Sequence, residues 1–259
     1  MGTFPPFILL AAVFLAGPTV AGPQEFLADT SAGCAGCDLQ GVNLKRLNLA
    51  KVDLSGANLE DANFHRADLS GANLTGANLR KANLNLADLR KASLSGADLA
   101  GALLYQADLS AADLTGADLS GASLQKSRFS RAKLTGARLD RAVAYESRLT
   151  GANLSGASLH EINLTSANLR AANLNGVSID SARLVRANLS RATLVDARVE
   201  KSDLYFSNLS RADLTGSVLV GVRLEGASLA GAETEGTKVE RCLLPDGRFV
   251  REGTLDGAP

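Results

Sequence analysis

Ala, a polar residue and Leu recur every five positions through most of this chain. Residues 71–94, GANLTGANLRKANLNLADLRKASL, carry the pattern five times without an insertion. A period of five fits neither the 3.6 of a helix nor the 2 of a strand. The centre positions run from Leu39 to Leu229, and 34 of the 39 are Leu; the others are Phe64, Phe129, Ala144, Ile179 and Val199. Ala stands two residues before the centre at 27 of the 39, and the residue between is Asp or Asn at 23. Residues two apart in extended backbone point to one side. Ala and Leu therefore face inward and the Asx faces outward. The last two residues of each unit must turn the chain before the next Ala. Four right-angle corners close a square whose middle is filled by Leu, each burial contributing about 1.5–3 kcal/mol.

A 20-residue period supports four units per coil. Gly56, Gly76, Gly96, Gly116, Gly136, Gly156 and Gly176 form one column, which Asp196 interrupts and Gly216 resumes. Glycine supplies the positive φ of a type II turn, so this spacing predicts that turn at one corner of nearly every coil. Coils stacked at about 4.8 Å make a rod of about ten coils, roughly 45–50 Å long. Stability is then a sum over coils and their neighbours.

The units ANLTG (72–76) and ANLSG (152–156) resemble the pentapeptide-repeat family, written A(D/N)LxX, and the resemblance covers about three quarters of the chain. It implies an all-β fold, a right-handed quadrilateral parallel β-helix with four repeats per coil. The rod is assigned to residues 38–232. Residues 1–21 read as a secretory signal: an apolar run from Phe7 to Ala16, then Gly-Pro, then Thr19-Val20-Ala21, although no Lys or Arg precedes the run. This points to export, into a periplasm, an extracellular space or a thylakoid-lumen-like compartment. Membrane association is expected only if that segment stays uncleaved. Residues 22–37 form an N-terminal cap containing Cys34 and Cys37. Residues 233–259 form a C-terminal cap in which Thr234 and Val239 keep register and Pro245-Asp246-Gly247 predicts a hairpin. This Cys-plus-PDG tail resembles segments that follow pentapeptide arrays, but lacks a later second cysteine, leaving Cys242 free or paired elsewhere.

Cys34-x-x-Cys37 in an exported chain is a disulfide, a pair of free thiols, half a metal site or a redox pair. A tetrahedral zinc site needs a second pair, which the sequence lacks. Redox catalysis needs the pair to open a helix beside a strand, whereas this one abuts the first repeat. A structural disulfide is the main reading and thiol-disulfide activity an alternative.

Charge changes the picture little in total, with 27 basic and 27 acidic residues. That balance predicts neither nucleic-acid binding nor a strongly acidic DNA mimic. Locally, residues 121–200 hold 12 basic and 6 acidic side chains, against 8 and 10 in residues 38–120, a mild positive zone suited to an acidic partner or anionic surface at low salt. Asp108, Asp113 and Asp118 lie 20 residues before Arg128, Lys133 and Arg138, and Arg183, Asp203 and Arg223 alternate likewise, so ion pairs between coils are expected.

One face differs from the others. Tyr105, Tyr145 and Tyr205 share one column with His65 and Val185, and the same face carries Leu86, Leu103, Val143 and Phe206. Eight of eleven large apolar residues at outward positions fall there: Leu86, Leu103, Tyr105, Val143, Tyr145, Val185, Tyr205 and Phe206. Such a stripe marks an interaction surface, for an unknown protein partner or a second copy of the rod, unless flanking segments cover it. Ala144, an undersized centre on this face, suggests a local dent. No catalytic, metal or cofactor set assembles: His65 and His160 lie on different faces, and a packed Leu/Ala interior leaves no pocket for a small-molecule substrate. The expected function is a non-enzymatic structural and protein-binding rod. A further alternative is a DNA-mimicking topoisomerase-binding protein, resembling the quinolone-resistance branch of the family.

Overall fold

A computed structural model describes residues 23–255 of this protein. The signal expected in residues 1–21 lies outside the described residues. Isolated parallel bridges join each Asx-position residue to the one 20 positions on, from Asp38↔Asn58 through to Arg223↔Leu243. On one side these bridges lengthen into short strands: β1 (Ser178–Asp180), β2 (Arg198–Glu200), β3 (Val218–Val220) and β4 (Lys238–Leu243), all parallel and all offset by 20. The chain is therefore a right-handed square β-helix. Its walls are named here by their first centre residue: Leu39, Leu44, Leu49 and Leu54, in order around the square.

The inward pattern follows the sequence closely. Leu at the centres and Ala two residues earlier are buried throughout, most at 0–2% exposure. Ala144 is buried too, and its N–H keeps the ladder bond to Asn163 O at 2.8 Å. The backbone around Leu154 shows why the outward middle position favours Asx. Leu154 N–H donates to Asn173 O (2.7 Å), Gly156 N–H to Asn175 O (3.0 Å), Ala157 N–H to Leu154 O (3.0 Å) and Asn153 N–H to Ala132 O (2.9 Å). Four of five N–H groups are thus satisfied by backbone. The fifth, on Ser155, donates to Asn153 Oδ1 at 3.1 Å. The Asx side chain supplies the one acceptor that the coil lacks. Asn also bridges coils, as Asn58 Nδ2 does to Asp38 Oδ1 at 2.8 Å.

The corners differ from the sequence expectation. Every fifth residue from Gly36 to Arg241 has φ between +44° and +69°, at all four corners rather than one. Lys81, Gln106, Glu161 and Phe206 adopt it, as does Gly116. The glycine column marks where the sequence relieves this backbone, and says nothing of where the turn occurs. A Cβ added at Gly116 would meet no atom within 4 Å, so glycine there answers to backbone conformation rather than crowding.

Both ends are closed. Cys34 occupies a centre position of the Leu54 wall and Cys37 the following Ala position, so the β-helix geometry begins inside the segment assigned as a cap. Their disulfide spans that first corner with the Cα atoms 5.4 Å apart. Helix α1 (Pro23–Ala28) places Phe26, fully buried, in the core. At the far end the ladder runs beyond residue 232, to Leu243. The chain then turns at Pro245-Asp246-Gly247, and β5 (Phe249–Thr254) pairs antiparallel with β4. Strand β5 occupies the edge that the last coil would otherwise expose, which blunts end-to-end strand pairing. Four of the five expected ion pairs between coils form: Asp108–Arg128 (3.7 Å), Asp113–Lys133 (3.2 Å), Asp118–Arg138 (3.5 Å) and Asp203–Arg223 (3.9 Å); Asp203 pairs with Arg223 rather than with Arg183. Each is solvent-exposed and contributes about 0–1 kcal/mol, so they favour register more than stability.

Candidate functional site

The Leu44 wall carries the tyrosines. Leu86 N–H donates to Tyr105 O (2.9 Å), Lys126 N–H to Tyr145 O (3.1 Å) and Arg186 N–H to Tyr205 O (2.9 Å). Equivalent bonds on one ladder fix all three residues in one column. Among the described residues seven large hydrophobics are exposed, and four of them stand on this wall: Leu103 (40%), Tyr105 (39%), Tyr145 (36%) and Phe206 (55%). Leu86, Val143, Val185 and Tyr205 are half-buried. Asn85, Gln125 and Thr165 interrupt the column, so the apolar surface is a series of patches rather than a continuous stripe. Neither α1 nor β5 covers those four exposed side chains.

The side chains of the upper patch pack on one another. The Arg223 guanidinium lies 4.0 Å from the Tyr205 ring centroid, and Phe206 meets Tyr205 edge to face at 4.5 Å and 84°. Glu225 accepts from Arg223 at 2.7 Å and, with burial opposing, holds the guanidinium above its usual pKa range. Phe206 lies over Gly226, where an added Cβ would sit 3.0 Å from the ring. Glycine at 226 relieves a φ of +69° and leaves room for this ring, which would have to shift to admit a Cβ.

The lower patch depends on a substituted acceptor. Leu103 stands where Asx would normally accept the N–H of Tyr105. Asn85, one coil earlier, accepts it instead at 2.8 Å. This frees the Leu103 position for an exposed apolar residue. At the foot of the wall, partial desolvation and the nearby Lys45, Arg66 and Arg46 hold His65 below the ordinary histidine range.

The sequence pattern named the apolar residues and paired Arg223 with Asp203, but missed Asn85, Gly226 and the stacking of Arg223 on Tyr205. Adding 20 to Asp203, Tyr205 and Phe206 gives Arg223, Glu225 and Gly226, so register alone could have found the upper set. The chemistry around the other candidates is limited. Cys34 is fully buried and Cys37 nearly so, which leaves neither sulfur open to a substrate thiol. The buried Cys242 thiol donates to Leu219 O and Glu240 O at 3.3 Å, and burial pushes its pKa up. His160 pairs with Asp180 (2.9 Å) and Glu161 (3.2 Å) on the Leu39 wall, away from His65. A groove of about 500 Å³ runs between Leu86, Asp108, Lys126, Arg128, Glu146 and Arg148; Lys126 pairs with Glu146 and Arg128 with Asp108. Among the described residues no group of three His, Cys, Asp or Glu could hold a metal ion, and no helix is long and apolar enough to cross a membrane.

Comparison with known proteins bears on the repeat. A family profile for pentapeptide repeats matches in eight copies lying between residues 37 and 244. The crystal structure of HetL, a pentapeptide repeat protein involved in heterocyst differentiation regulation from the cyanobacterium Nostoc sp. strain PCC 7120, is 30% identical with a TM-score of 0.67, covering 89% of this chain and all of HetL. A pentapeptide repeat protein from the Arabidopsis thaliana thylakoid lumen is 26% identical over 49% of this chain and 68% of that one, with a TM-score of 0.25. QnrB1, a plasmid-mediated fluoroquinolone resistance protein, is 21% identical over 78% of this chain and 92% of its own, with a TM-score of 0.33. A comparison with curated proteins finds no match.

Proposed function

Because this chain belongs to the pentapeptide repeat family, we propose that it is a non-enzymatic rod that docks a protein partner through the Leu44 wall. One observation carries the reading: Leu103, Tyr105, Tyr145 and Phe206 stand exposed along a single wall of a fold whose Leu and Ala positions are otherwise buried. Tyr and Phe anchor interfaces because they bury large area at little entropic cost. The mutual contacts of Arg223, Tyr205 and Phe206 restrict their rotamers, which lowers the ordering cost of binding. Self-association through the same wall is the second reading, supported by the length of the ladder.

We further propose that the rod works in an exported compartment. The apolar segment ending at Ala21 and the Cys34–Cys37 disulfide support this. N-terminal sequencing of the mature protein should begin at Gly22; a retained Met1 in a soluble fraction would overturn it.

The docking reading is tested by photo-crosslinking. A crosslinker in place of Tyr145 should capture one partner in the source cell, and Phe206→Ser with Tyr105→Ser should abolish capture without lowering the melting temperature. A crosslinker in place of Thr115, on the opposite wall, should capture nothing. Equal capture from both walls would refute the proposal. Capture of the chain by itself would select the second reading.

A further inference from the structure

Once residues are assigned to walls, the zero net charge separates into two sides. The Leu44 and Leu49 walls together carry 16 basic and 6 acidic residues, while the Leu54 and Leu39 walls carry 9 and 16. The segregation runs across the rod, so comparing early and late segments of the sequence does not reveal it.

The Leu49 wall is the centre of the basic side, with nine basic and three acidic residues. One edge is a ridge of Lys51, Lys91, Arg131, Arg191 and Arg211, all exposed, with no acid in the same column. Among the described residues none of these five takes part in an ion pair. The acids of the wall are partly neutralised locally, Asp88 by Arg90 (2.5 Å) and Asp108 by Arg128 (3.7 Å). The other edge carries Arg46, Arg66, Lys126 and Arg186 against the single acid Glu146. Between the edges, the column after the centres holds only Ala, Ser, Thr and Arg.

We propose that the Leu49 wall is a membrane-facing surface, lying flat on an anionic bilayer with its two cationic edges against lipid phosphates. The extent of the charged rows favours this occupant. The ridge runs from Lys51 to Arg211, eight rungs or about 38 Å at the strand spacing, an extended charged face rather than a pocket. A nucleic-acid strand would call for a groove and stacking aromatics, and this wall has no outward aromatic residue. Cations at an anionic surface act additively over a Debye length. The acidic Leu54 and Leu39 walls set the orientation, since an anionic surface repels them. The tyrosine column of the Leu44 wall lies away from this edge, whereas Leu86 and Phe206 share the corner column with its four cations; the substitutions below touch no docking residue.

The test is co-sedimentation of the full chain with vesicles of phosphatidylcholine, or of phosphatidylcholine with a third phosphatidylglycerol, at low and high salt. Binding is expected only to the anionic vesicles and should disappear at high salt. Changing Lys51, Lys91, Arg131, Arg191 and Arg211 together to Gln should weaken it more than about a hundred-fold. Changing Arg80, Lys81, Arg138, Arg141 and Arg198 to Gln alters net charge equally on the opposite wall, and should weaken it far less. Equal effects of the two sets would overturn the proposal. So would binding to phosphatidylcholine alone that survives the ridge substitutions, binding to soluble heparin without vesicle binding, or salt-sensitive self-assembly in place of vesicle binding.

Discussion

Replacing alanine with glycine normally destabilises a protein, yet at two positions of this rod it should do the reverse. Ala111 and Ala171 sit at corners with φ of +58° and +54°, and both are exposed. An L-residue in this left-handed region is disfavoured by about 1–2 kcal/mol. Glycine removes that strain but gains about 0.5–1 kcal/mol of unfolded-state entropy. The difference leaves Ala111→Gly stabilising by about 0.5–1 kcal/mol. The two sites lie three coils apart, so the double variant should gain about twice as much. Ala112→Gly is the control: Ala112 is fully buried, and its loss removes packing as well as adding entropy. Urea denaturation followed by circular dichroism reads both, with unchanged m-values. If Ala111→Gly destabilises as much as Ala112→Gly, the corner conformation is wrong, and the account of glycine in this sequence with it.

Other consequences are as direct. Leu154→Asp puts an unpaired carboxylate into a fully buried site and should unfold the neighbouring coils, seen as hydrogen-exchange loss centred on residues 134–174; wild-type protection there would refute the inward assignment. Cys34→Ala with Cys37→Ala should cost about 2 kcal/mol for opening so short a loop, with exchange rising near Asp53 and the far coils unchanged. Asn85→Ala removes the acceptor of Tyr105 N–H and should destabilise by about 1 kcal/mol; Asn85→Asp should restore it. Hydrogen bonds chiefly from Ser55, Arg90 and Thr115 hold Asp53, Asp88 and Asp113 below the ordinary carboxylate range. Their stabilisation is present above the unfolded-state pKa and is lost as pH falls through the lower folded-state values. The melting temperature should therefore drop on acidification below about pH 4; a melting temperature that rises in acid would contradict it.

The inward half of this fold was legible in the sequence because burial depends on residue type at fixed spacing. Leu154 and Ala152 could be placed without coordinates, as could the vertical pairing of Asp113 with Lys133. The backbone half was less legible. Lys81 and Gly101 share a corner conformation, but only glycine advertises it, so the glycine column suggested one turn where there are four. The role of Asx was also hidden: its outward direction follows from alternation, whereas its bond to the N–H two residues on depends on which donors the ladder leaves over. Among the candidate site residues, the column of Tyr105, Tyr145 and Tyr205 followed from counting. The stacking of Arg223 on Tyr205 required side-chain geometry, and the charge split emerged only after every residue had a wall.

The register of 20 underlies all of these inferences, and pulsed electron paramagnetic resonance measures it directly. Spin labels on Tyr105→Cys and Tyr205→Cys stand five rungs apart on one wall, which at the strand spacing gives about 24 Å. A narrow distribution centred near that value is the predicted result. A distribution centred beyond about 35 Å, or too broad to define a rung spacing, would contradict the stacked square on which both proposed surfaces rest.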